Sequence, residues 1–218
     1  MTAKIAIIDY GMGNLRSVSK AIELCKASVD IISEPEQIKK YNAVVLPGVG
    51  SFAPAIKIIK DKGLDKAIKK HLEQKKMFLG ICLGFQLLFS RSYEEGIHEG
   101  LDIIKGSVEK FVPKPGEKLI IPHIGWNTIN ISENIDAKQM FKGINNNEFV
   151  YFVHSFYCKP EDDNLIATKT NYSIDFCSSI ANKNIWACQF HPEKSSNTGI
   201  AILKNFVSKC EDSNVSCN

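Results

Sequence analysis

Lys76-Met77-Phe78-Leu79-Gly80-Ile81-Cys82-Leu83-Gly84-Phe85-Gln86-Leu87-Leu88-Phe89 is the stretch whose reading decides the fold. Its apolar approach, Met77 to Cys82, reads as a buried strand, and from Leu83 onward the apolar residues recur one helical turn apart. Gly80 and Gly84 flank Cys82 symmetrically, two residues on either side. A tight strand-to-helix corner needs such glycines, because a missing Cβ lets the neighbouring segments approach closely. The corner lifts the Cys82 side chain out of the sheet and places it at a helix N-terminus. There, oriented N–H groups and the helix dipole favour a thiolate. Cys82 is the candidate nucleophile.

Working outward, Lys4 to Asp9 reads as a short β-branched strand ending at the bend Gly11-Met12-Gly13. Asn14 to Lys26 has helical periodicity through Leu15, Val18, Ala21, Ile22 and Cys25. Strands follow at Val29 to Ile32 and Ala43 to Leu46, with amphipathic helices from about Ala53 to Leu72. With Met77 to Cys82 the β-α-β-α-β alternation predicts an α/β fold, a mainly parallel sheet flanked by helices on both faces. Ligands gather at the carboxyl ends of such strands. Asp9-Tyr10-Gly11, Pro47-Gly48-Val49-Gly50 and Gly80-Ile81-Cys82 all lie at those ends.

After about Gly100 the texture changes. Segments near 106–112, 118–121, 126–131, 149–158, 165–170, 174–181 and 185–190 read as strands joined by turns, an antiparallel extension of the same sheet. No Pro/Ser/Gly-rich linker or repeat divides the chain, so residues 1–210 are expected to form one domain. A helix from about Asn197 to Lys209 closes it, and Cys210 to Asn218 reads as a frayed polar tail.

Composition bounds the function. The 218 residues carry 27 basic and 24 acidic side chains, a net charge of only +3. Without a basic cluster, nucleic acid is not an expected partner. The lysines between Lys57 and Lys76 are interleaved with Asp61, Asp65 and Glu73, the pattern of solvated helix faces. Seven scattered cysteines with no CxxC pair, and no secretory leader, predict free thiols in a reducing cytoplasm. The uncharged run from Met77 to Ser90 falls short of the roughly 20 residues that span a bilayer. No metal or cofactor is expected.

A cysteine nucleophile needs a base, and the base needs an orienting group. His71 sits in a charged helix and His98 in a turn, so both are expected at the surface. His191 follows the hydrophobic strand from Ile185, in Phe190-His191-Pro192-Glu193. In extended chain, His191 and Glu193 project from the same side. A carboxylate then reaches one imidazole nitrogen while the other faces the thiol.

Gly80-Ile81-Cys82-Leu83-Gly84-Phe85-Gln86 together with Phe190-His191-Pro192-Glu193 resembles the signature of class I, triad-type glutamine amidotransferases. The resemblance implies that Cys82 is the nucleophile of a γ-glutamyl thioester, His191 the general base and acid, and Glu193 the residue orienting it. Ile8 to Leu15, Leu46 to Phe52, Pro122-His123-Ile124-Gly125-Trp126-Asn127 and Tyr151-Phe152-Val153-His154-Ser155 narrow the likeness. They resemble the glutaminase subunits of imidazole glycerol phosphate synthases, over about residues 4–207.

That subfamily implies further assignments. The partner is a (β/α)₈-barrel cyclase subunit in a heterodimer, which takes up ammonia and makes imidazole glycerol phosphate and AICAR in histidine biosynthesis. The oxyanion hole is assigned to the N–H groups of Leu83 and Val49, and glutamine binding to Gly50, Gln86, Glu94 and Ser155. The partner interface is assigned to Asn14, His123, Trp126, Tyr151 and Lys194, with a core aromatic the competing reading of Trp126. His123 and His154 equally fit structural histidines, a reading preferred for His154. Phe176-Cys177-Ser178-Ser179-Ile180 departs from the alanine- and valine-rich strand of many histidine-pathway members. It leaves open a paralogous glutaminase that supplies a synthase aminating a surface-sugar nucleotide.

Overall fold

The computed structural model describes residues 2–215. The first half runs β1 (Lys4–Ile8), α1 (Leu15–Glu23), β2 (Ser28–Ile32), β3 (Ala43–Gly48), α2 (Phe52–Asp61), α3 (Leu64–Glu73), β4 (Met77–Cys82) and α4 (Leu83–Gln86). Then come β5 (Phe89–Ser92), β6 (His98–Glu99), β7 (Ile104–Lys110), β8 (His123–Ile131), α5 (Ile135–Met140), β9 (Glu148–His154) and β10 (Phe156–Pro160). β11 (Ile166–Tyr172), β12 (Ile174–Asn182), β13 (Ile185–Cys188) and α6 (Ser196–Val215) complete the chain. A 3₁₀ helix, Pro35–Lys40, lies between β2 and β3.

The main sheet has the order β2-β1-β3-β4-β13-β12-β10-β7-β5-β6. Its parallel part is β2-β1-β3-β4-β13, and β1, β3 and β4 are apolar almost throughout because helices cover both faces. The period of two divides their side chains between two cores. Ile5, Ile7, Val45 and Leu79 pack with α1 and α6, while Ala6, Ile8, Val44 and Phe78 pack with α2 and α3. Gly63, at φ 72°, separates α2 from α3 in a conformation that favours glycine.

From β12 onward most pairings are antiparallel, as expected, although β5 runs parallel to β7. β12 also pairs β11, which leads to the β8–β9 ribbon. The expected strand 149–158 is two strands. The chain leaves the ribbon at Ser155 and joins β7 instead.

Three expectations need correction. Residues 118–121 form no strand: Leu119 and Ile121 pack against the core, Ile120 is exposed, and its carbonyl accepts from the Tyr172 hydroxyl instead of a ladder. His71 is not a surface residue but is 2% exposed, with its Nε2–H donating to the Met77 carbonyl at 3.0 Å. α6 continues to Val215, and Cys210 is buried in the core, so the chain is helical where a frayed tail was expected. Residues 216–218 of that tail lie outside the described residues.

Candidate active site

Cys82 ends β4 at φ 54° and ψ −109°, a left-handed backbone that a non-glycine residue adopts at a cost of about 1–3 kcal/mol. The surrounding packing holds it there. A Cβ on Gly84 would collide with the Leu46 carbonyl, and one on Gly80 would lie 2.9 Å from the Gly84 carbonyl oxygen. The elbow is therefore pressed against β3 on one side and folded on itself on the other. Gly48 is the register partner of Cys82, which places the Val49 peptide at the nucleophile's flank, while Leu83 begins α4.

The second half of the site arrives through β13. Cys188 pairs in parallel with Ile81, so the chain beyond β13 emerges beside the Cys82 elbow. His191 Nδ1 donates to Glu193 Oε1 at 2.7 Å, with the two side chains 2% and 1% exposed. His191 Nε2 is buried and makes no hydrogen bond. Burial opposes a charged imidazole here, but the Cys82 sulfur and the Glu193 carboxylate together outweigh it and lift the His191 pKa to about 10. A thiol, an imidazole and a carboxylate are thus brought together, an arrangement that can supply a nucleophile, a proton carrier and an orienting group.

Four residues supporting this triad were not singled out from the sequence. Gln189 is fully buried, and its Nε2 donates to Cys82 Sγ at 3.7 Å. Ser195 is fully buried as well. Its hydroxyl donates to the His191 carbonyl at 2.6 Å and accepts the Tyr151 N–H at 3.0 Å. The His191 N–H in turn donates to the Tyr151 carbonyl at 2.9 Å, so the His191 imidazole hangs from a backbone bracketed against β9. Tyr10 places its buried hydroxyl against Gly48. Asn127 begins a polar chain described below. Only the sequence neighbourhood of His191 hinted at Gln189 and Ser195; the others depend on partners far along the chain.

A cavity of about 410 Å³ opens over Cys82. Val49, Gly50, Leu83, Gln86, Glu94 and Ser155 all line it together with Cys82 and His191. Gln86 Nε2 donates to both the Phe156 carbonyl and Gln189 Oε1, which leaves its own Oε1 to accept from a ligand. Glu94 Oε2 accepts the Phe52 N–H at 2.7 Å, and burial raises the carboxyl pKa against that bond. Its carboxylate gives the cavity an acidic side.

The residues assigned to a partner interface separate into two groups. Trp126 is 52% exposed, so it is not a core aromatic; it meets its register partner Tyr151 edge-on at 6.0 Å. The exposed Lys194 places its ammonium 5.9 Å from the Tyr151 ring. Ile124 and Phe149 extend this face, at 60% and 56% exposure. Asn14 is exposed and caps α1 by accepting the Ser17 N–H.

His123 is different. It is buried, stacked on Tyr172 at 3.9 Å and Phe152 at 4.8 Å, and so does not reach the surface. Asn127 Nδ2 donates to His123 Nε2, His123 Nδ1 to His154 Nε2, and His154 Nδ1 to the Phe156 carbonyl that also holds Gln86. This direction of donation requires both histidines neutral. Burial lowers them accordingly, His123 to about 4 and His154 to about 3. Among the described residues no group of three or more His, Cys, Asp or Glu is placed to hold a metal ion. Among the described residues no helix is long and apolar enough to cross a membrane.

The class-I glutamine amidotransferase family profile matches residues 6–210, and with the elbow cysteine and its His-Glu pair in place, the chain belongs to that family and is a glutamine amidotransferase. Within it, the chain is 48% identical to imidazole glycerol phosphate synthase subunit HisH of Caldanaerobacter subterraneus subsp. tengcongensis, across 93% of this chain and 96% of that one. The HisH subunit of Syntrophotalea carbinolica is 45% identical over 93% of this chain and 98% of its own. PurLQS from Thermotoga maritima shares the fold at a TM-score of 0.72 and 18% identity, over 98% of this chain and 100% of that one.

Proposed function

We propose that this chain is the glutaminase subunit of an imidazole glycerol phosphate synthase and releases ammonia from L-glutamine for a barrel cyclase in histidine biosynthesis. The observation that carries the chemistry is the buried Cys82, His191 and Glu193 constellation beside a cavity of about 410 Å³. The HisH relatives support the pathway, and they favour it over a sugar-nucleotide acceptor.

In this reading, glutamine enters with its ammonium toward Glu94 and its carboxylate toward the backbone at Gly50 and Ser155. Cys82 attacks the γ-carboxamide carbon, its thiol proton having moved to His191 Nε2. The N–H groups of Leu83 and Val49 stabilise the resulting oxyanion. His191 returns the proton to the leaving nitrogen, and ammonia departs as the thioester forms. A water then gives its proton to His191 and attacks the thioester carbon, releasing glutamate and restoring Cys82. Glu193 holds the imidazole through both steps.

The face of exposed Ile124, Trp126 and Phe149 with half-buried Tyr151, and Lys194 at its edge, is the proposed docking surface for the cyclase. Large aromatics with a cation suit such contacts. His123 supports this face from beneath.

Co-expression with the cyclase tests the assignment. Cys82→Ala is expected to abolish glutamine-dependent synthesis while the complex still uses added ammonium salts. Loss of the ammonia-dependent reaction as well would overturn the division of labour. Glutaminase activity of the isolated chain that is unchanged by the cyclase and its ligand would point instead to a free-standing hydrolase.

A further inference from the structure

Gln189 follows β13 directly and is fully buried, with its backbone N–H donating to the Ser178 carbonyl at 2.9 Å. The two ends of its side-chain amide differ, since the oxygen accepts and the nitrogen donates. Which end meets Cys82 is settled at the neighbouring Gln86. The Phe156 carbonyl can only accept, so the Gln86 group 3.2 Å from it is the nitrogen. That nitrogen also donates to Gln189 at 3.0 Å, so Gln189 presents its oxygen there. Its Nε2 is thereby turned to Cys82 Sγ, 3.7 Å away.

An N–H aimed at sulfur favours the thiolate over the thiol, because the bond strengthens when its acceptor is charged. Other titratable groups face the same sulfur. Tyr10 follows β1, Cys158 lies on β10 and Cys188 on β13; burial raises the pKa of all three, so they stay neutral. His191 and Glu193 follow β13, and Glu94 and Lys194 line the cavity over Cys82. His191 Nε2 makes no hydrogen bond, whereas the Gln189 amide already touches the sulfur. Gln189 does not line that cavity. It therefore acts on the sulfur without meeting a ligand bound there.

We infer that Gln189 is a catalytic residue: its amide donates to the Cys82 thiolate, and Gln86 is the positioning residue that keeps this donor turned toward the sulfur. A neutral amide cannot take the thiol proton, which still moves to His191; the amide meets the charge left behind on Sγ. Gln86 then has two roles, its oxygen left for a ligand and its nitrogen ordering Gln189. The effect on the sulfur stands by itself, while its use in turnover rests on the proposed glutaminase reading.

Alkylation of Cys82 by iodoacetamide in the full chain, followed by peptide mass spectrometry from about pH 4 to 10, reads the thiolate without glutamine or a partner. Gln189→Met replaces the amide by an unbranched side chain with no donor, and Gln189→Leu is a second apolar replacement. In each, the rate on the rising limb of the profile is expected to fall by about tenfold, with the alkaline plateau within about twofold of the native chain. Gln86→Met, which frees the Gln189 amide to turn, is expected to move the limb the same way by less, and an unmoved limb there would overturn the positioning role. For Gln189, an unmoved limb, or a fall equal at every pH, would show packing alone and overturn the inference. In complex with the cyclase, kcat for glutamine is expected to fall by about tenfold in Gln189→Met with KM within about twofold. An unchanged kcat beside a shifted limb would overturn the catalytic role. If the native complex released no ammonia from glutamine, the glutaminase reading would fail, and the alkylation limb would still decide whether Gln189 meets the thiolate.

Discussion

Replacing Ser195 by alanine isolates the bracket that carries the His191 imidazole. The change removes a 2.6 Å hydrogen bond to the His191 carbonyl and leaves the Tyr151 N–H without its 3.0 Å acceptor. The lost bond is worth about 1 kcal/mol and the stranded buried N–H about 1–3 kcal/mol, so roughly 2–4 kcal/mol of stability should go. In a chain of this size that corresponds to a fall in Tm of roughly 5–15 °C. His191 then keeps its own N–H bond to Tyr151 and the Lys194 N–H on its carbonyl, but the hydroxyl link from its carbonyl to β9 is gone, and Glu193 follows the same loosened segment. Misplacement by about 1 Å can lower kcat by about 100-fold. Ser195 does not line the cavity over Cys82, so KM for glutamine should stay within about twofold. Glutaminase kinetics at 25 °C, in complex with the synthase and well below the variant's Tm, provide the assay. A lowered Tm with unchanged kcat would show Ser195 to be structural only, and a rise in KM at constant kcat would refute the bracket.

Other perturbations follow from the same geometry. Glu193→Gln keeps the size of the side chain but removes the charge that supports the imidazolium; kcat should fall by about 10³–10⁴ with KM little changed. Gly84→Ala drives a Cβ into the Leu46 carbonyl, so the elbow and β3 must separate; loss of more than about 4 kcal/mol by denaturant titration, or failure to fold, is expected. His154 is neutral when folded, with its pKa lowered to about 3, and binds a proton more readily once unfolded. Its contribution is complete above about pH 6.5 and falls as the pH drops toward 3, by up to about 1.4 kcal/mol per pH unit. Unfolding free energies between pH 7 and 4.5 should therefore decline more steeply in the native chain than in His154→Gln.

Parallel β1, β3 and β4 were legible because strands covered on both faces must be apolar throughout. The elbow was legible because Gly80 and Gly84 answer a local steric demand. α5 was missed: its six residues are held by the Asn134 cap and by packing of Ala137 and Met140, too little for a periodic signal. His71 misled for a related reason. Its helix is densely charged, yet one residue per turn faces inward, and the Met77 carbonyl that meets His71 belongs to the next strand.

The sequence by itself determined the layered α/β architecture, the cysteine corner and the His-x-Glu spacing, since each depends on contacts within a few residues. Only the tertiary structure decided that β13 lies parallel to β4, which brings His191 to Cys82 across half the chain. It also decided that Ser195, Gln189 and the His123–His154 pair support the site, and that Trp126 faces outward while His123 does not. Alternation along a strand fixes which residues share a face, but solvent or core is assigned to that face by whatever strand or helix folds against it.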